Sequence, residues 1–429
     1  MGIQSAMFSG VSGLNTNSQA MTVIGNNLAN TNTLGFKGSR TVFSDLLSSS
    51  VFGSGGSSQV GRGVGLSTVD NIYSQGTFET TSSDTDVAIE GEGFFVVSEL
   101  GVETQLYTRA GAFRFDDEGY LVNPEGYVVQ GKQFLADGTL DGGDPSDIQV
   151  ASTGLIEANA TTELTFETNL DANADEIGVG VAINPDDNAT YNYSASSTVY
   201  DSLGEQHLVT AYWQLEETAT NTWNMAYTVD GADITAIGDQ LTFDGNGLYD
   251  ADLDGNPDGV ADDPLTVAIP VPADGDWDNG AEAGQEIDLV FDCTQFDSDS
   301  VVIGQNQDGY GAGELTKVGI GNDGIVIASY SNGEQVNVAQ LVLAKFQNTG
   351  GLELAGSNLL SATDDVGTIR IGLAGAELGN IFTNSLEQST VDMGQEFVKM
   401  ITTQRGFQAN SKIISTVDEM LSELINLKR

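Results

Sequence analysis

The stretch GNNLANTNTLGFKGSR, residues 25–40, joins two different kinds of sequence. Upstream of it, residues 1–36 hold no Asp, Glu, Lys, Arg or His at all. Within them Ile3, Met7, Gly10, Leu14, Asn17, Met21, Ile24 and Leu28 are spaced alternately by four and three, the pattern of a helical a/d seam. Gly10 and Gly25 each weaken such a helix by roughly 1 kcal/mol. The quoted stretch then supplies Asn26, Asn27, Asn30 and Thr33, side chains that compete for backbone hydrogen bonds and end helices. Gly35 permits a tight turn. Phe36 and Lys37 follow, Phe36 as an anchor for the outgoing chain. The spacing predicts a neutral helix that stops near Leu28, with Asn30 to Thr33 bonding the freed backbone groups.

The opposite end repeats the pattern. Met393, Phe397, Met400, Gln404 and Phe407, then Ile414, Val417, Leu421 and Leu424, form a second amphipathic seam. The two termini can pair as a local helical hairpin. Alternatively they form a seam for assembly between copies, and the missing charges favour this, because uncharged polar helices enter a crowded interface without unpaired ions.

Composition narrows the function classes. The chain has 429 residues, room for two to four domains, and a net charge of -48. Such acidity excludes phosphate-neutralising partners, so no nucleic acid and no anionic membrane surface is expected. Between Lys132 and Lys317 there is no Lys or Arg, yet 37 acidic residues, which marks a separate solvent-facing domain. There is no basic and apolar leader and no membrane-length apolar run, while the Gly, Thr, Asn and Ser content resembles extracellular β-proteins. That conflict suggests export without a cleaved signal.

Strand patterns fill the middle. VAIEGEGFFVV (87–97), YTRAGAFRF (107–115) and GYLVNPEGYVVQG (119–131) read as hairpins, as do 163–170, 197–215 and 222–231. In 324–346 two alternating runs meet at Ser331-Asn332-Gly333. GSGGSSQVGRGVG (53–65) reads as a Gly/Ser linker. The fold class expected is mainly β, sandwich or barrel, with α-helical termini.

GNNLANTNTLGFK, the C-terminal stretch 398–429, and SDTDVAIEGEGFFVV with YTRAGAFRFDDEGYLVNPEGYVVQG together resemble the bacterial flagellar rod and hook family. TVYDSLGEQHLVTAYW (198–213) and residues 307–352 resemble its hook branch, which carries a large insertion. The resemblance implies a non-enzymatic subunit that travels unfolded through a type III export channel. It implies assembly with copies of itself into a curved tubular polymer, the universal joint between rod and filament. Rod, hook cap, hook–filament junction proteins and the export apparatus are the implied partners, and the flagellum outside the cell is the implied location. The terminal helices then form a coiled-coil core from 1–32 and 385–429, with linkers at 33–70 and 376–384. An inner β-domain combines 71–147 with 316–375, and an acidic outer β-domain spans 148–315, with 232–290 as a third small module. The alternatives are a distal rod protein of the same family and a secreted calcium-binding adhesin-like β-protein.

No cofactor is required by this reading, but one motif invites Ca²⁺. Asp250, Asp252, Asp254 and Gly255 match the start of a calcium loop, with Asp258 ninth and Asp262 one place beyond the twelfth position. The competing reading is an acidic surface turn. His207, the only histidine, reads as a surface strand residue, and Cys293, the only cysteine, as a half-buried one that can link subunits. Trp213, Trp223 and Trp277 show no sugar-binding pattern with carboxylates, and no Walker or G-x-G-x-x-G loop is present.

Overall fold

The computed structural model describes residues 2–427 apart from 47–48, 54–55, 103, 136–137, 151–153, 218–220, 233, 250–263, 272–276, 278 and 376. Helix α1 (Gly2–Ala29) opens the chain and helix α2 (Met393–Leu427) closes it, and the described residues between them are strands, turns and two short 3-10 turns. No described helix is long and apolar enough to cross a membrane. The chain divides into two units: Met1–Ser152 with Lys317–Ala328 and Gln335–Arg429, and Thr153–Thr316 with Ser329–Glu334.

In the first unit, strand Phe94–Ser98 pairs antiparallel with Gln105–Thr108, and strand Gln335–Phe346 pairs with Ile369–Leu373 and Val128–Gln133. Its core joins Phe94, Val96, Tyr107, Val342 and Phe346, with Phe346 edge-on to both Phe94 and Tyr107. These strands read as nearly continuous apolar runs because Phe94–Ser98 is buried at every position. The turn at 331–333, which belongs to the second unit, forms as expected: the Gly333 N–H donates to the Tyr330 carbonyl, and Gly333 has φ +91°.

One expectation is corrected here. Most of the described residues of 53–65, expected as a linker, and of 39–70 within the expected 33–70 linker region lie in paired strands. Ser39–Asp45 pairs antiparallel with Val64–Asn71, and Ser49–Gly53 with Gly56–Val60. Gly53, Gly56, Ser57, Ser58 and Gly65 are strand residues, and the β-branched and aromatic Thr41, Val42 and Phe43 carry the first strand. The hairpin leans on α1, where the Val64 N–H donates to Ser12 Oγ.

The second unit is a two-sheet sandwich. One sheet orders Leu265–Pro270, Glu286–Phe296, Glu163–Asp171 and Val301–Gln307, with its central pair parallel. The other is a meander of Tyr193–Tyr200, Gln206–Glu217, Thr222–Val229 and Thr235–Thr242. Phe166 and Phe291 from the first sheet meet Trp213 from the second, with ring centroids 5.8–5.9 Å apart for the two Trp213 pairs. The described strands of 232–290 belong to these two sheets, Thr235–Thr242 to one and Leu265–Pro270 to the other, so they form no sheet of their own.

Two further expectations change. Cys293 is fully buried, because strand Glu286–Phe296 alternates strictly and Cys293 falls on the inward face with Ile287, Leu289 and Phe291. Burial pushes its thiol up to about 12, and the Thr168 hydroxyl lies 3.0 Å from its sulfur, so it is not poised to link subunits. His207 is likewise buried, on the inward face of Gln206–Glu217, because it shares the phase of Val209 and Ala211. Trp277 stacks on it at 3.7 Å. The acidic loop containing Asp250, Asp252, Asp254, Asp258 and Asp262 lies outside the described residues.

Candidate assembly site: the terminal helix pair and its neck

Helices α1 and α2 pair antiparallel. A Cβ added at Gly10 would meet Ile413 and Ile414, one at Gly13 would lie 2.8 Å from the Asn410 amide, and one at Gly406 would lie 2.9 Å from Asn17. Small residues at the crossing let the backbones approach closely. The buried stripe of α1 is accordingly Gly10, Gly13, Thr16, Ala20, Ile24 and Asn27. Of the residues expected in the seams, Ile24 and Val417 are buried. Met7, Leu14, Met21, Leu28, Met400, Phe407, Ile414 and Leu421 are half-buried along its flanks. Met393 and Phe397 are exposed, and the side chains of Ile3 and Leu424 lie outside the described residues. Phe8, Val11, Phe397, Val398 and Ile401 form an apolar remainder that the pairing leaves in solvent, Phe8 at 64% exposure and Val398 at 62%.

The neck begins where α1 ends. The Asn30 N–H donates to the Asn26 and Asn27 carbonyls, and its side-chain amide donates to the Asn26 carbonyl as well. The Thr31 hydroxyl donates to Leu28 and the Thr33 hydroxyl to Asn30 Oδ1. Asn26 stays exposed, but Asn27 is buried, its side chain bonding both the N–H and the carbonyl of Ser39 at 2.9 and 2.7 Å. Its amide also reaches Glu396 at 3.4 Å, in the first turn of α2, which Asp392 caps by accepting from the Gln395 N–H. Gly35 takes φ +67° and packs against backbone, since a Cβ there would lie 2.6 Å from the Ala110 nitrogen. Phe36 is half-buried, lines a small cavity with Tyr73 and Leu360, and accepts from the Thr390 N–H.

Lys37 plugs into a buried ion cluster. Its Nζ lies 2.6 Å from Glu387 Oε1, and Arg109 Nη1 lies 3.4 Å from Glu387 Oε2, with side-chain exposures of 7%, 0% and 3% for Lys37, Glu387 and Arg109. The Gly76 N–H also donates to Glu387, and Arg109 donates to the Gly91 carbonyl while lying over the Phe94 ring. Burial pulls the Lys37 ammonium below its usual range, outweighing the attraction of Glu387, and acts on Arg109 in the same direction. One carboxylate thus ties the chain leaving α1, the first β-unit and the chain entering α2. Sequence reasoning found Lys37 but missed Arg109, Glu387 and Glu396. Glu387 stands 350 residues from Lys37 and 278 from Arg109, so no local spacing pairs them.

The chain matches four protein-family models: Flagella basal body rod protein over residues 7–37, Flagellar hook protein FlgE/F/G D1 domain over 88–179, Flagellar basal body protein FlaE D2 domain over 169–310, and Flagellar basal body rod FlgEFG protein C-terminal over 383–427. The class is therefore that of flagellar basal-body rod and hook proteins. The chain is 34% identical to flagellar hook protein FlgE of Borreliella burgdorferi, with 99% of each chain covered, and 34% identical to that of Treponema pallidum, again with 99% of each. It is 33% identical to that of Escherichia coli over 97% of this chain and 98% of the other. The crystal structure of Helicobacter pylori flagellar hook protein FlgE2 shares the fold at TM-score 0.50 and 15% identity, over 72% of this chain and 99% of that one. The chain belongs to the flagellar hook protein family.

Proposed function

We propose that this chain is a non-enzymatic building block of the flagellar hook, assembling with its own copies through the terminal helices into a curved tube that joins rod to filament. The observation that carries this reading is the apolar remainder of the helix pair. A charge-free α1 already paired with α2 still leaves Phe8 and Val11 exposed near one end of the pair and Phe397, Val398 and Ile401 near the other, and repeated copies are the natural cover for these side chains. In the same reading the chain leaves the cell through the flagellar export channel without a cleaved signal and meets the rod, cap and junction proteins.

Negative-stain electron microscopy of the concentrated full-length protein tests it. Curved or supercoiled tubes are expected, and deletion of residues 1–30 should abolish them while leaving the tryptophan emission of the second unit native. Straight rods would move the assignment to the rod, and persistent monomers would overturn assembly. We further propose Ca²⁺ as a ligand of loop 250–262, on the Asp250, Asp252 and Asp254 spacing alone. Calorimetric titration with Ca²⁺ should give saturable heat that Asp252→Ala removes; no heat from the unaltered chain ends that proposal.

A further inference from the structure

The second unit contains one buried histidine that lacks a partner on one side. Strand Tyr193–Tyr200 turns into Gln206–Glu217 through a tight loop, in which the Asp201 N–H donates to the Glu205 carbonyl and the Gly204 N–H to the Asp201 carbonyl. Asp201 Oδ1 accepts the Leu203 and Glu205 N–H groups, which turns Oδ2 toward His207. Asp201 is fully buried and His207 is 8% exposed beneath the Trp277 ring.

The other face of His207 is fixed. Its Nδ1 lies 2.8 Å from Asp230 Oδ2, and Asp230 is held by accepting the Leu208 N–H through Oδ1. A carboxylate there makes Nδ1 a donor and fixes the orientation of the ring. Its Nε2 is buried, has no hydrogen-bond partner, and stands 3.5 Å from the Asp201 carboxylate. Two electron-rich atoms facing each other inside a protein call for a positive charge between them. Residues 133–316 contain neither Lys nor Arg, so the candidates for that charge are a proton on Nε2 and a bound cation.

We propose that Asp201, Glu205 and His207 form a divalent transition-metal site, with Asp230 as the outer carboxylate that orients the imidazole, and that Zn²⁺ is its natural class of occupant. The ligand atoms of the three residues all lie within 4.8 Å of one another. The 3.5 Å between Nε2 and Oδ2 is close to the edge of a tetrahedron with bonds of about 2.0–2.1 Å. Glu205 is exposed, and its carboxylate can close the remaining distance once it exchanges its one amide donor for the cation. The Asn279 amide now bridges Asp201 and Glu205, donating at 2.6 and 2.8 Å, and a cation displaces that donor. One imidazole with two carboxylates suits Zn²⁺, whereas Ca²⁺ prefers oxygen alone. The carboxylate–histidine–metal arrangement is the usual way a protein fixes the tautomer of a ligating histidine. Bound metal would staple the hairpin turn beneath the Trp277 segment.

The test is direct, because the chain has a single histidine. Imidazole ¹⁵N resonances of the full-length protein are followed while ZnCl₂ is added. One equivalent should shift the Nε2 signal to saturation, leave Nδ1 protonated, and raise the melting temperature read by tryptophan emission. Glu205→Gln, which keeps the size of an exposed side chain and the backbone bonds of the turn, should weaken binding by about tenfold or more. An imidazolium spectrum indifferent to Zn²⁺ would mean that a proton occupies the place assigned to the metal. Binding that leaves the imidazole unmoved, or is equally tight in Glu205→Gln, would mean scattered surface carboxylates. Either result overturns the site.

Discussion

Replacing Glu387 with Ala should destabilise the first unit severely and the second hardly at all. The substitution takes the carboxylate from two cations, Lys37 and Arg109, whose side chains are 7% and 3% exposed, leaving them the Ser74 and Gly91 carbonyls, and removes the acceptor of the Gly76 N–H. Removing one partner of a buried ion pair costs about 3–5 kcal/mol. For a unit of this size each kcal/mol lowers the melting temperature by roughly 2–4 °C, so a drop of about 6–20 °C is expected. All three tryptophans lie within residues 153–316, so their emission reports on the second unit while far-ultraviolet dichroism reports on both. The dichroism transition should split, with one part moving down and the tryptophan transition staying in place. Lys37→Met with Glu387→Leu, which removes the carboxylate and one cation together, should recover part of the loss, with Arg109 keeping its bond to Gly91. A loss below about 1 kcal/mol would refute the reasoning, since it would mean the two cations find water or other partners at no cost.

Other consequences are narrower. Gly13→Leu, whose side chain must enter the space of the Asn410 amide, should splay the helix pair, and hydrogen exchange along α1 should accelerate at least tenfold. Burial pushes the Asp308 carboxyl up, but hydrogen bonds from the Thr162 hydroxyl and the Thr162 and Glu163 N–H groups outweigh it and hold the group below the usual carboxylate range. A depressed folded pKa means stability present above the unfolded value of about 3.9 and lost as pH falls through the folded one. Melts read by tryptophan emission should therefore show Asp308→Asn losing less stability than the parent chain below about pH 4. Cys293, with its thiol pushed up to about 12, should resist a thiol reagent in the folded protein and react once urea unfolds the second unit.

How much was readable in the sequence depends on the physical range of each signal. The terminal helices were legible because a charge-free, periodic stretch ending in Asn, Thr and Gly has few other folds. The face they use was less so. Hydrophobic periodicity ranks Met7, Leu14 and Met21 above Gly10, Gly13 and Ala20, yet close antiparallel approach favours the small residues. The Gly/Ser composition of 53–65 pointed to a linker, because hairpin turns and flexible linkers draw on the same residues. His207 turned on strand phase, where a shift of one residue exchanges core for solvent. The cluster of Lys37, Arg109 and Glu387 could not be read at all, since only tertiary pairing brings those charges together.

Charge and assembly are in tension in this molecule, and salt should decide between them. In a polymer of identical subunits each acidic unit meets its own copies, and residues 133–316 bring 37 acidic residues with no Lys or Arg to balance them. Two like charges 10 Å apart in water repel by about 0.4 kcal/mol before screening, so a handful of such pairs rivals the gain from covering one exposed Phe. The screening length falls from about 10 Å at 0.1 M to about 3 Å at 1 M. Of the helices that we assign to assembly, α1 carries no charge and the exposed side chains invoked as the contact are apolar, so added salt removes repulsion without weakening that attraction. Raising NaCl from 0.1 to 1 M should therefore lower the critical concentration for sedimentable polymer by about tenfold or more, equivalent to about 1.4 kcal/mol per subunit. A critical concentration that rises with salt would mean that ion pairs hold the copies together, with Lys399, Arg405 and Lys412 of α2 as the cations to mutate, and the apolar remainder of the helix pair would lose its assigned role.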